Sequence, residues 1–252
     1  MKEIRDLYNN AYRKFTPDFI NPENMKKIDL YMELNTETLR QFIKNYEEQF
    51  NLEFEFNSSS CLELGCGLGS LSFFLESKFD NYTGVDISSL AIAAAKQMAE
   101  IKNSNIDFQV LDVCSEIGPF QKKNYEIIID SHLLHCLTKD EDRISYIKNM
   151  KKLLAPNGRF FLETMVFQPK MRFPVGYFFD EYKTLWVDSK DLNYPYRKIL
   201  YAREIEEFLL EQGLKIEYLY FHHELSFCPC PDDKDFKLEY GPKTLRICAV
   251  HS

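Results

Sequence analysis

Glycine is scarce in this chain, nine in 252 residues, and three of the nine fall within five positions at Gly65, Gly67 and Gly69. Tryptophan occurs once. No apolar run approaches the ~18 residues that a membrane-spanning helix needs, and the opening Met1-Lys2-Glu3-Ile4-Arg5-Asp6 lacks the apolar core of a secretory leader. A cytoplasmic protein that engages no membrane is therefore expected. The seven cysteines are odd in number and mostly isolated among apolar residues, as at Cys61, Cys66, Cys114, Cys136 and Cys248, which argues for reduced thiols and against a disulfide framework. Positive charge is outnumbered, 31 Lys and Arg against 39 Asp and Glu for a net charge of −8. A nucleic-acid backbone needs a basic face, so no nucleic-acid partner is expected. Repeats and low-complexity tracts are absent too. What remains is 45% hydrophobic content in a chain long enough for one domain, 1–252, with a large core.

Residues 1–57 read as an N-terminal helical cap. Ile4, Leu7, Tyr8 and Ala11 recur at helical spacing, and a second periodic segment runs from about Met25 to Phe50, beyond the Asn21-Pro22 break. After Asn57-Ser58-Ser59-Ser60 apolar strands alternate with helical segments. The strands are Cys61–Leu64, Tyr82–Val85, Ile106–Leu111, Tyr125–Ile129 and Arg159–Thr164; the helices lie around Leu68–Ser77, Ser88–Lys102 and Asp140–Leu154. Thr138-Lys139-Asp140-Glu141 has the form of a capping box, and Pro156-Asn157-Gly158 reads as a turn into the fifth strand. Such alternation predicts an α/β fold with a doubly wound parallel sheet. Leu214–Phe221 and Thr244–Val250 have no crossover helix between them, which makes the last strand antiparallel.

The glycine cluster sits where an apolar strand breaks and a helix begins, in Cys61-Leu62-Glu63-Leu64-Gly65-Cys66-Gly67-Leu68-Gly69-Ser70. Glycine there permits positive φ and close approach of a ligand, and the following helix N-terminus favours negative charge. In open α/β sheets ligands lie outside the carboxyl ends of the strands. The residues ending the first four strands are acidic: Glu63, then Asp86 before Ile87, Asp112 before Val113, and Asp130. A carboxylate about 20 residues after the glycine turn suits ribose hydroxyls, and one after the third strand suits an adenine amino group. Glu63, inside an apolar strand, requires a cation; a ligand amine would serve. Each acid can also be read as a helix N-cap.

Glu63-x-Gly65-x-Gly67-x-Gly69 resembles motif I of the class I S-adenosylmethionine (SAM) methyltransferases of small-molecule type. Asp86, Asp112 and Asp130 match the acidic or polar positions after strands two to four of that family, and Leu153-Leu154-Ala155-Pro156-Asn157-Gly158 resembles its segment leading into strand five. The resemblance covers about residues 58–222 plus the final strand. It implies a Rossmann-like seven-stranded sheet, SAM as cofactor, and Glu63, Gly65, Cys66, Gly67, Asp86, Ile87, Asp112, Val113 and Asp130 as its binding residues. The implied activity is O- or N-methylation of a small molecule. A SAM-binding partner subunit without activity and a nucleotide-cofactor oxidoreductase are the alternatives; the glycine spacing departs from the dinucleotide pattern.

The histidines cluster. His132 and His135 follow strand four and are the candidate bases, with His135 equally readable as structural. With His222, His223 and neighbouring Glu224 they form a candidate divalent-metal set. The stretch 166–200 interrupts the pattern and is expected to be a lid. Ten aromatics occupy 167–201, and over 168–203 seven Lys or Arg face four Asp or Glu. Arg172 and Arg197 are the candidate contacts to an anionic acceptor of phosphate, phosphoramidate or sugar type, and Tyr12, with Tyr8, is placed to close over the cofactor. The number of subunits is not readable from the sequence.

Overall fold

The computed structural model describes residues 2–13, 16–50, 60–115, 117–118, 120, 124–173, 175–189, 192–226 and 237–252. The chain begins with α1 (Lys2–Arg13), a short α2 (Thr16–Phe19) and the long α3 (Met25–Phe50). Then come β1 (Ser60–Leu64), α4 (Ser70–Leu75), β2 (Asn81–Asp86), α5 (Ser89–Lys102), β3 (Asp107–Val110), β4 (Tyr125–Ser131), α6 (Asp140–Leu153) and β5 (Leu154–Val166). An insertion holds β6 (Tyr177–Phe179), β7 (Thr184–Ser189) and β8 (Leu192–Lys198); α7 (Ala202–Glu211), β9 (Leu214–Ser226) and β10 (Lys243–His251) follow. Seven strands form one sheet in the order β3-β2-β1-β4-β5-β10-β9. β10 runs antiparallel to both neighbours, while β1 to β5 pair in parallel. No helix among the described residues is long and apolar enough to cross a membrane.

The apolar residues of the strands divide by parity between the two faces, as a side-chain period of two requires. Leu62, Leu64, Ile128, Phe160, Leu162 and Ile247 meet α6 and α7. Cys61, Ile127, Ile129, Phe161 and Cys248 meet α3, α4 and α5 through residues such as Phe42, Tyr46, Leu71 and Ile92. α3 is therefore a layer of the sandwich. Of the expected N-terminal cap, α1 is the part that reaches the ligand edge.

Some local expectations need correction. The helix α6 starts after Lys139 with no side-chain cap, so Thr138 makes no capping box; Asp140, Glu141 and Asp142 in the first turn favour its N-terminal dipole instead. Pro156-Asn157-Gly158 belongs to the irregular start of β5, where its pairing with β4 shifts register between Tyr125 and Ile127. The expected lid contains a three-stranded antiparallel sheet, β6-β7-β8. Its Leu185, Trp186, Val187, Tyr194 and Tyr196 are strand formers, and Phe178 stacks on Trp186 across the first pair.

Parity also puts charge on the α3 face. Glu163 of β5 and Arg246 of β10 are register partners, both wholly inaccessible, with Arg246 Nε 2.9 Å from Glu163 Oε2. Thr38 of α3 donates its hydroxyl to Glu163 Oε1 at 2.7 Å, and its carbonyl accepts from Arg246 Nη2 at 2.6 Å. Removing one partner leaves a buried charge uncompensated. Arg246→Met is therefore expected to lower stability by about 3–5 kcal/mol in urea unfolding, and a loss below about 1 kcal/mol refutes this role for the pair.

Candidate active site

The turn from β1 into α4 holds Gly65, Gly67 and Gly69 at φ +74, +54 and +82, a region that side chains disfavour. At Gly67 a Cβ would stand 2.6 Å from the Tyr12 hydroxyl. Helix α1 thus crosses directly above the turn. It is anchored at α5, where Asn9 Oδ1 accepts from the Ser88 hydroxyl at 2.8 Å and from the Leu90 N–H at 3.3 Å. Ser88 in turn caps α5 by accepting from the Ala91 N–H.

Asp86 closes the turn from the β2 side. Its Oδ2 accepts from the Gly67 N–H at 3.0 Å and its Oδ1 from the Ser88 N–H at 2.8 Å. Burial raises its pKa, against the pull of those two N–H groups. Ile87 follows, half-buried, and the buried Cys66 places its sulfur against the Gly67 carbonyl. Gly65, Cys66, Gly67, Asp86 and Ile87 are thus brought together under α1.

The other strand-end acids serve differently. Glu63 lies behind the turn, 3% exposed, and its Oε2 accepts from the hydroxyls of Ser72 at 2.5 Å and Tyr82 at 3.0 Å. Donors from within the fold have replaced the cation expected for it. Asp112 accepts from the Cys114 N–H and the Ser115 hydroxyl, each at 3.0 Å, the local cap that was its alternative reading; Val113 packs into the core. Asp130 is corrected outright. It is wholly buried and accepts from the Leu133 and Leu134 N–H groups and the Tyr146 hydroxyl, so it shapes the turn after β4 and offers a ligand no surface.

That turn carries the histidines. His135 is 2% exposed, with Nδ1 3.1 Å from the Thr164 hydroxyl and 3.4 Å from the Met165 N–H. Burial pushes its pKa well below the usual range, so it is a neutral structural residue, and the base expectation for it is withdrawn. His132 has φ +76 and 26% of its side chain exposed, with Nε2 3.3 Å from Glu163 Oε1. The Glu163 carboxyl is held below its ordinary range by His132, Arg246 and Thr38, which outweigh its burial.

The expected metal set is not assembled. Two strands, β5 and β10, lie between β4 and β9, about 14 Å at the normal strand spacing, and they separate His132 and His135 from His222. Among the described residues no group of three or more His, Cys, Asp or Glu is placed to hold an ion. The side chains of His223 and Glu224 lie outside the described residues.

The two arginines also part. Arg172 is exposed, stacks on Tyr240 at 4.7 Å and lines a cavity of about 840 Å³ with Gln168, Glu239 and Lys243. Arg197 of β8 is set among Tyr8, Tyr12, Tyr196 and Cys136, and the Cys136 thiol donates to the His132 carbonyl. Glu163, Arg246, Thr38 and Asn9 are site residues that the sequence reading missed. A signal for two of them existed: Glu163 and Arg246 are charges inside apolar strands, the same anomaly that drew attention to Glu63.

Residues 62–160 match the family model described as a methyltransferase domain. A ubiquinone biosynthesis O-methyltransferase of Coxiella burnetii is 34% identical over 123 residues, 49% of this chain and 49% of that one. A hybrid PKS-NRPS synthetase of Emericella nidulans is 33% identical over 113 residues, 42% of this chain and 3% of that protein. The chain thus spans half or less of the length of these relatives. The crystal structure of magnesium protoporphyrin IX methyltransferase from Synechocystis PCC 6803, with bound SAH, is similar in fold: TM-score 0.63 at 15% identity, covering 100% of this chain and 99% of that one. Residues 62–160 thus match a methyltransferase domain, and the fold of the chain is that of solved SAM-dependent methyltransferases.

Glu63 yields a prediction. Burial lifts its carboxyl from 4.5 to about 7, so the folded protein keeps a proton that the unfolded chain has released. The stability tied to that proton is complete below about pH 4.5 and is lost as pH rises through about 7. Glu63→Gln, which stays neutral, should gain about 1–3 kcal/mol relative to the ligand-free parent between pH 5 and pH 8. Urea unfolding at both pH values measures this; a pH-independent difference contradicts it.

Proposed function

We propose that this chain is a SAM-dependent methyltransferase acting on an oxygen or nitrogen of a small molecule. The observation that carries the reading is the convergence of the left-handed glycine turn, Asp86 and α1, with the Tyr12 hydroxyl above Gly67. These residues fit the cofactor. The turn presents bare backbone at positive φ, a buried carboxylate ends β2, and an aromatic helix closes over both, with the Tyr12 hydroxyl standing where a Cβ of residue 67 would be. When bound, SAM supplies a methyl carbon on sulfonium sulfur; the acceptor's lone pair bonds to that carbon as the carbon–sulfur bond breaks and its electron pair returns to sulfur.

The chain's own contribution is to bind, to exclude water and to accept a proton. Tyr8 and Tyr12 roof the cleft with neutral hydroxyls, because burial pushes both phenols up. His132 is the group for the proton that the acceptor loses. It is the more exposed of the two histidines after β4, and a charge arriving on its imidazole meets the Glu163 carboxylate at 3.3 Å.

Calorimetry with SAM should show binding, weakened about 10- to 100-fold by Asp86→Ala through the lost carboxylate contacts. Unchanged affinity in that variant removes Asp86 from the site. With an acceptor in hand from a metabolite pool, His132→Ala should lose about 10²- to 10⁴-fold in kcat. A loss under threefold leaves His132 as pocket wall.

A further inference from the structure

Arg197 differs from those cations of the fold that have a carboxylate partner. Lys198 beside it pairs with Asp140, Lys183 with Glu204, Arg246 with Glu163, and Arg159 with Glu217. Arg197 stands within 4 Å of no carboxylate among the described residues. Its Nη1 donates to the Tyr196 carbonyl at 2.9 Å, and the guanidinium lies 4.0 Å over the Tyr196 ring. Its Nε and Nη2 have no partner among the described residues, yet neither is among the fully buried atoms that lack one. They therefore keep some access to solvent.

The guanidinium's other neighbours do not cancel its charge. Tyr8, Tyr12 and Cys136 are all pushed up by burial, so at neutral pH they are a pair of phenols and a thiol, without charge. A cation half-withdrawn from water among neutral groups has lost hydration without gaining a counter-charge, and an anion that enters the cleft restores the balance. The position is also right for the acceptor. Tyr12, beside Arg197, has its hydroxyl over Gly67, while β8, which carries Arg197, packs on the turn after β4 where His132 and Cys136 lie.

We propose that Arg197 is the acceptor's anion receptor, so that the methyl acceptor carries an oxyanion, carboxylate or phosphate, apart from the atom that is methylated. This rests on the methyltransferase reading above. The free edge of the guanidinium, Nε and Nη2, presents two parallel N–H groups, the geometry that grips such a group bidentately, and the Tyr8 and Tyr12 hydroxyls can donate to the same oxygens. Residues 168–203 carry seven Lys or Arg against four Asp or Glu in a chain of net −8, so attraction for an anion is local to the insertion that bears Arg197.

Two measurements decide it separately from the catalytic reading. In the full chain loaded with S-adenosylhomocysteine, the Arg197 Nε–H resonance, assigned by its loss in Arg197→Lys, is followed while inorganic phosphate or acetate is titrated. A saturable shift with either ion is expected, and phosphate against acetate tells which oxyanion is preferred; no shift with either overturns the proposal. Second, a metabolite extract is incubated with methyl-labelled SAM and the products are separated by charge. Label is expected in anionic products, with KM for that fraction raised about 10- to 100-fold in Arg197→Gln, partly restored in Arg197→Lys, and SAM affinity unchanged. Label confined to neutral or cationic products overturns the anion receptor while upholding methyl transfer. No label in any fraction, with SAM bound, sinks the catalytic reading instead, and the resonance still decides the receptor.

Discussion

A carboxylate buried at the end of a strand must find hydrogen-bond donors or a cation, and in this fold the donors each one finds set the shape of the ligand edge. Asp86 takes the N–H groups of Gly67 and Ser88 and so ties the glycine turn to the start of α5. Asp130 takes those of Leu133 and Leu134 and so bends the chain after β4. Glu63 takes two hydroxyls behind the turn. Glu163 gathers Thr38, Arg246 and His132 from three separate parts of the chain. Four acids in comparable positions therefore do four different jobs, and Asp86 is the one placed directly beneath the helix that covers the site.

The division of the sheet into two faces explains which acid does which. Along β1 and β5 the odd-numbered residues face α3 and α4, so Glu63 and Glu163 point into a layer rather than over the sheet edge. There they can be tolerated only with partners supplied by that layer. The even-numbered side chains pack against α6 and α7, and Asp130 reaches the Tyr146 hydroxyl of α6 by the same logic. The cleft is thus left with few charges of its own. Its roof is phenolic, the Cys66 and Cys136 thiols are pushed up by burial, and the inserted sheet contributes Arg197. A cation with no carboxylate within 4 Å among the described residues discriminates by charge more sharply than one already in an ion pair, since no carboxylate at its side competes for the guanidinium.

Much of this was legible in the residues. Hydrophobic alternation marked the strands of the main sheet, and the break at Gly65, Gly67 and Gly69 marked the ligand turn, because both depend on neighbours a few residues apart. The insertion was harder: the aromatic density of 167–201 was visible, yet its pairing as three strands depends on contacts that local pattern does not specify. The N-terminal segment was read as a cap throughout, whereas a helix that covers a ligand edge and one that covers a sheet face have the same amphipathic period. Nothing in the period says which surface will be met.

The sequence by itself determined the order of the main-sheet elements, the glycine turn at the end of β1, the antiparallel return of β10 and the presence of acids at four strand ends. Only the tertiary structure decided which acids face a ligand and which hold the fold together. The reason is the reach of the deciding contacts. Thr38 meets Glu163 across 125 residues and Arg246 across 208, and Asn9 meets Ser88 across 79. A side chain's local pattern can show that it needs a partner, but the partner is chosen by chain topology, which brings α1 to the start of α5 and packs α3 on the face that β5 and β10 share.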